Sequence, residues 1–91
     1  MATASTQNWF VYIVRCADQS LYTGVTTDIE RRVLEHNSCD KKGARYTRAR
    51  RPVTLFYTET LESRATACQR EAEIKRLPKA AKEQLASEPH F

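Results

Sequence analysis

Two apolar stretches divided by a polar break constrain this chain more than any other feature. Trp9-Phe10-Val11-Tyr12-Ile13-Val14 is β-branched and aromatic, and a short continuous apolar run of this kind suits a buried strand. Ala17-Asp18-Gln19-Ser20 reads as a turn, and Leu21 to Thr26 is strand-like again, with Gly24 inside it. The pair reads as a β-hairpin. A three-residue loop with Cys16 opposite Ser20 places Gln19 in the left-handed region, where glycine would be easier. A two-residue loop pairing Ala17 with Ser20 is the other register.

Beyond the hairpin, Thr27-Asp28-Ile29-Glu30 has the form of a capping box, so a helix is expected from there to about Asn37 or Ser38. Ile29 and Val33 make its apolar stripe, while Asp28, Arg32 and His36 share another face. Residues 39–52 read as a long basic loop, unusual in a compact domain and therefore a hint of function. Pro52 precedes a third strand, Val-Thr-Leu-Phe-Tyr-Thr. Ser63 is expected to cap a helix running to about Leu77, and Pro78 to open a short one to about Ala86. The order β-β-α-β-α-α predicts an α+β domain, a three-stranded, mainly antiparallel sheet flanked by helices. Its 91 residues suit one domain at 9–87, between a disordered leader at 1–8 and a tail at 88–91. A domain this small has little room for an internal cofactor cavity, so chemistry belongs in a surface groove.

Charge narrows the partner. Six of the fifteen basic residues (Lys41, Lys42, Arg45, Arg48, Arg50 and Arg51) crowd one acid-free segment. The rest of the chain carries nine basic against eleven acidic residues. A concentrated basic segment on a slightly acidic domain is a footprint for a polyanion. Cys16, Cys39 and Cys68 are odd in number and widely spaced, which implies no disulfide framework. His36 and Cys39, three apart, are a weak zinc signal without a second pair of ligands. The polar start lacks the apolar core of a signal peptide, and no apolar run is long enough for a bilayer. A reduced cytoplasm, no membrane partner and a monomer are the default expectations.

One side chain stands out on helix geometry. Glu71 is flanked at i−4, i−3 and i+3 by Ala67, Cys68 and Ile74, so it lies on or beside the inward face, whereas Glu73 faces solvent. A carboxylate at a core boundary is costly unless paired or bound to a metal, and the plain alternative is a rim glutamate paired with a cation. Arg32, His36, Tyr12 and Tyr22 taken singly are ordinary surface or half-buried residues.

Their spacing is not ordinary. Phe10-Val11-Tyr12, then Tyr22-Thr23-Gly24, Arg32 eight residues past that glycine and His36 four further on resemble the GIY-YIG nuclease superfamily. The likeness runs from about Trp9 to Leu85 and is nearest to the small stand-alone bacterial members. The first motif is degenerate, with Phe10 at the glycine position and Val11 at the isoleucine. Glu71 matches the family's catalytic glutamate. Val25 stands where some relatives carry a lysine after the glycine, so a cation from the basic loop would have to substitute.

The resemblance implies metal-dependent hydrolysis of DNA phosphodiester bonds, with Mg²⁺ or Mn²⁺ held by Glu71. Arg32 would hold a phosphate oxygen. Tyr12 would accept the proton of the attacking water, Tyr22 would orient water or phosphate, and His36 would position Tyr12 or assist proton transfer. Both tyrosines must then point to one sheet face, which the Cys16–Ser20 register allows and the two-residue loop forbids. Lys41, Lys42, Arg45, Arg48, Arg50 and Arg51 would hold the DNA backbone, with Tyr46 stacking on an unpaired base. A chain without an appended targeting domain points to single-stranded or branched DNA in repair, recombination or processing. A catalytically inactive nucleic-acid-binding module is the alternative, and a protein-interaction adaptor the third reading.

Overall fold

The computed structural model describes residues 8–87, so the leader expected at 1–8, apart from Asn8, and the tail at 88–91 lie outside the described residues. Strand β1 (Trp9–Arg15) runs down the centre of a three-stranded antiparallel sheet, between β2 (Leu21–Thr26) and β3 (Thr54–Leu61). A central strand covered on both faces explains why the first apolar run is continuous rather than alternating. Val11 and Ile13 face one way, and pack with Ala67 and Ile74 of α3 (Arg64–Lys75). Tyr12 and Val14 face the other, and pack with Cys16, Val53 and the Ile29–Val33 stripe of α1 (Ile29–Ser38). Each core is small, as a chain of this length requires.

The hairpin takes the three-residue loop. Cys16 N–H donates to Ser20 O at 2.8 Å, Gln19 N–H to Cys16 O at 2.9 Å, and Gln19 has φ 73°, the left-handed position expected for it. This register pairs Tyr12 with Gly24 and Val14 with Tyr22, so Tyr12 and Tyr22 share a sheet face. Ser63 caps α3 in a reciprocal capping box with Thr66. The last helix, α4 (Lys79–Ser87), is tied to the sheet by Arg15, which donates to both Glu83 carboxylate oxygens at 3.1 and 2.6 Å. No helix among the described residues is long and apolar enough to cross a membrane.

Two expectations need correction. The cap of α1 is Asp28, not Thr27: its carboxylate accepts from Arg31 N–H at 3.1 Å, one residue later than the capping box implied. The basic segment is also not simply a loop, because Arg45–Arg48 form one helical turn, α2. Tertiary bonds anchor it. The Asn37 amide clamps Val53 from both sides at 2.9 and 2.7 Å, Arg51 Nε donates to His36 O at 2.6 Å, and Ala17 N–H donates to Arg50 O at 2.9 Å.

Candidate active site

The site begins with a glycine. Opposite it in the sheet, the Tyr12 ring lies so close over Gly24 that a Cβ there would sit 2.6 Å from Tyr12 Cζ. The missing side chain lets Tyr12, itself buried, reach a surface groove of about 380 Å³. Tyr12, Tyr22, Gly24 and Val25 form the strand side of that groove, α1 supplies Arg32, and α3 supplies Arg64, Cys68 and Glu71. Four elements thus bring Tyr12, Tyr22, Arg32 and Glu71 to one opening.

Behind the groove, His36 is wholly buried. Its Nε2 lies 2.7 Å from Tyr12 Oη, and its Nδ1 lies 2.7 Å from the hydroxyl of Thr47, also wholly buried. Tyr22 packs edge-on against the same imidazole, ring centroids 5.4 Å apart, and stacks on Tyr46 at 5.8 Å. Burial pushes the Tyr12 phenol up to about 12, against the opposing pull of the Arg32 guanidinium. Burial, helped by Arg32, pushes His36 down to about 4. The resting site therefore holds a neutral phenol against a neutral imidazole at ordinary pH.

This imidazole gives the fold an acid limit. It titrates near 4 folded and near 6.5 unfolded, so between those values the unfolded chain takes up the proton first and stability falls with pH. Stability present above pH 6.5 should decline on the order of a few kcal/mol by pH 4. The Asp18 and Glu83 carboxyls, held below their ordinary range chiefly by hydrogen bonds from Ser20 and Arg15, contribute only at the acid end of that window. Melting curves at pH 7, 5.5 and 4.5 should show a drop in Tm that His36→Gln lacks. Equal pH slopes in both proteins would remove His36 as the cause.

Arg32 is half-buried. It donates to Glu35 Oε1 at 3.0 Å and to Lys42 O at 2.6 Å, so it braces the basic segment as well as facing the groove. Glu71 keeps a 24% exposed side chain with Lys75 Nζ 3.2 Å away, while Glu73 is 63% exposed and bound to Arg70. That difference matches the helix-face reading that preferred Glu71. Among the described residues no three His, Cys, Asp or Glu side chains form a metal cage. A single groove carboxylate does suit Mg²⁺, which keeps several waters and takes other oxygens from substrate phosphate.

The basic segment divides by what its side chains already touch. Arg51 is committed to His36 O and, at 2.9 Å, to Asp40. Arg50 bonds Asp18 and Tyr46 O, and its guanidinium covers the Tyr46 ring at 4.0 Å. The Tyr46 ring stacks on Tyr22 and lies under the Arg50 guanidinium, and it keeps 39% of its surface exposed. Lys41, Lys42, Arg45 and Arg48 remain exposed, Arg48 while donating to Asp40 O at 2.8 Å.

Arg64 was not anticipated. It opens α3 against the helix dipole, where a cation is disfavoured, and it reaches the groove. The signal was available in its spacing: Arg64, Cys68 and Glu71 fall at i, i+4 and i+7 on one helix face. Val25 lines the same groove, so α3 brings a cation, Arg64, to the groove that Val25 leaves without one.

Comparison with known proteins supplies the context. A family model described as the GIY-YIG catalytic domain matches residues 8–84. A UPF0213 protein of Desulfotalea psychrophila is 59% identical over 85 residues, covering 91% of this chain and 76% of that protein. Two solution NMR structures are similar. The UPF0213 protein BH0048 of Bacillus halodurans has TM-score 0.55 and 46% identity, with 88% of this chain and 83% of that one covered. The protein EF2693 of E. faecalis has TM-score 0.61 and 40% identity, with 92% of each covered.

Proposed function

The chain belongs to the GIY-YIG catalytic domain family, and from that premise we propose that it is a metal-dependent DNA endonuclease acting on single-stranded or branched DNA. The observation that carries the reading is the convergence of Tyr12, Tyr22, Arg32 and Glu71 on one groove from four separate elements. A shared fold alone would not require that.

In this mechanism Glu71 would hold Mg²⁺ or Mn²⁺, which when bound would supply neutralisation of charge on the scissile phosphate and leaving oxygen. Arg32 directs its guanidinium to a non-bridging phosphate oxygen, and Arg64 grips the backbone from the α3 side. Tyr12 takes a proton from the attacking water as its own passes to His36 Nε2. In the free protein a phenol near 12 and an imidazole near 4 keep that proton on Tyr12, so the transfer waits for substrate in the groove. Tyr22, held between His36 and Tyr46, orients the water or phosphate.

The test is direct. Pure protein is incubated with Mg²⁺ or Mn²⁺ and a panel of single-stranded, duplex and branched DNAs, with Glu71→Ala and Arg32→Ala alongside. Metal-dependent cuts lost in both variants support the proposal; cuts that survive both sink it. Binding without cutting would favour the inactive module, and no DNA affinity the adaptor.

DNA contact makes its own prediction. Replacing exposed Arg45 and Arg48 with alanine should weaken binding and flatten its salt dependence, by roughly 0.9 in slope per lost duplex phosphate contact or 0.7 on a single strand. Arg51→Ala should instead lower Tm, because Arg51 ties His36 O to Asp40. An unchanged slope in the Arg45/Arg48 variant would count against backbone contact there.

A further inference from the structure

We propose that Thr47 is a positioning residue of this site: its buried hydroxyl fixes the tautomer of His36, so that the imidazole offers Tyr12 a lone pair rather than a proton. The kinetic consequence rests on the nuclease reading above; the tautomer assignment does not.

The protons available to these groups decide between the two tautomers. A neutral imidazole carries one N–H, and a threonine hydroxyl donates only once. Thr47 Oγ1 lies 3.0 Å from Ala44 O, an acceptor with room for it beside the Arg48 N–H that the same carbonyl accepts at 2.9 Å. If Thr47 donates there, its oxygen must accept from His36 Nδ1–H, 2.7 Å away. Nε2 is then bare, and the Tyr12 hydroxyl donates to it across 2.7 Å. Each hydroxyl and the ring N–H finds an acceptor at good distance.

The opposite tautomer does worse. Thr47 would donate to Nδ1 and Nε2–H to Tyr12, leaving the phenolic proton of a buried tyrosine without an acceptor among these groups. Its one gain is the Ala44 amide, 3.4 Å from Nδ1, a long contact for an N–H donor. The assigned tautomer is also the one the chemistry needs, since only a bare Nε2 can take the Tyr12 proton.

Thr47 sits in the turn that carries the exposed cations. Arg45 and Arg48 face solvent on α2, Tyr46 braces Tyr22, and Thr47 points inward to His36. One helical turn therefore both meets the backbone of DNA and sets the proton path behind the groove.

Nitrogen-15 NMR of the full chain reads the tautomer without any nuclease assay. The sequence holds two histidines, His36 and His90, and a His90→Gln background leaves His36 alone in the spectrum. Wild type and Thr47→Ser should show the proton on Nδ1, and Thr47→Val should lose that state. On the best substrate, Thr47→Val should lower kcat by up to about 100-fold, part of what a positioned acid–base group contributes. KM should hold and Thr47→Ser should stay near wild type. A proton on Nε2 in the wild type overturns the proposal, even if Thr47→Val fails to fold. So does a Thr47→Val protein that keeps Nδ1–H. A wild type with Nδ1–H that cuts no DNA overturns the nuclease reading and leaves the tautomer assignment standing.

Discussion

Glu71→Gln is expected to reduce DNA cleavage by roughly a thousandfold or more while fold and DNA affinity stay close to wild type. The rate expectation comes from charge. Glutamine has the same shape but cannot hold a divalent ion as a carboxylate does, and losing several kcal/mol of transition-state stabilisation removes about a factor of ten per 1.4 kcal/mol. The expectation of an intact fold comes from the surroundings of Glu71. Its ion pair is with Lys75 on the half-exposed surface of α3, and such pairs contribute about 0–1 kcal/mol. Binding should hold or tighten slightly, because a negative charge beside the phosphates is gone. Glu73→Gln, two residues along and solvent-facing, should cleave like wild type. This contrast is cleaner than one built on Arg32, whose loss also unties Lys42 O. Full activity in Glu71→Gln would remove the metal-holding role.

Much of the scaffold was legible because local chemistry and burial agreed. The apolar run of β1, the Cys16–Ser20 loop and the Ser63 cap each have a signal within a few residues, and the structure has all three. The start of α1 slipped by one because Thr27 and Asp28 are both competent caps, and the sequence pattern does not say which side chain turns inward. Helix α2 was invisible. At four residues it is too short for apolar periodicity, it has no side-chain cap, and it is anchored by Thr47, Tyr46 and the bonds that brace its flanks. The same limit applies to the cations. Composition showed six of them crowded together, but not that Arg50 and Arg51 would be half-buried among their acceptors while Arg45 and Arg48 stay exposed, Arg48 even as it donates to Asp40 O. Of the site, motif spacing reached Tyr12, Tyr22, Arg32, His36 and Glu71. Arg64 was within reach of helix spacing, whereas Thr47 is joined to His36 only by the packing of α2 against α1.

Gly24→Ala should be the most damaging single substitution away from the charged residues. Gly24 does not have positive φ, so its requirement is space, not backbone freedom. An added Cβ would overlap the Tyr12 hydroxyl and lie 2.6 Å from Cζ and 2.9 Å from Cε2. Tyr12 has little freedom to yield: its side chain is packed with Val14, Cys16 and Val53, and its hydroxyl is bonded to His36. Overpacking of this kind costs about 1–3 kcal/mol or more. In a domain of this size each kcal/mol shifts Tm by roughly 4–8 °C, so a fall of about 10–20 °C is expected. Cleavage should fall further than unfolding explains, because the displaced group is the hydroxyl proposed to take the proton of the attacking water. A double-mutant cycle isolates the clash. Tyr12→Phe alone should destabilise, since it leaves His36 Nε2 without its partner. In the Gly24→Ala background the same change removes the overlapping oxygen, so it should cost much less or even stabilise. Additive effects in that cycle would mean that Gly24 is needed for some reason other than the Tyr12 ring lying across it.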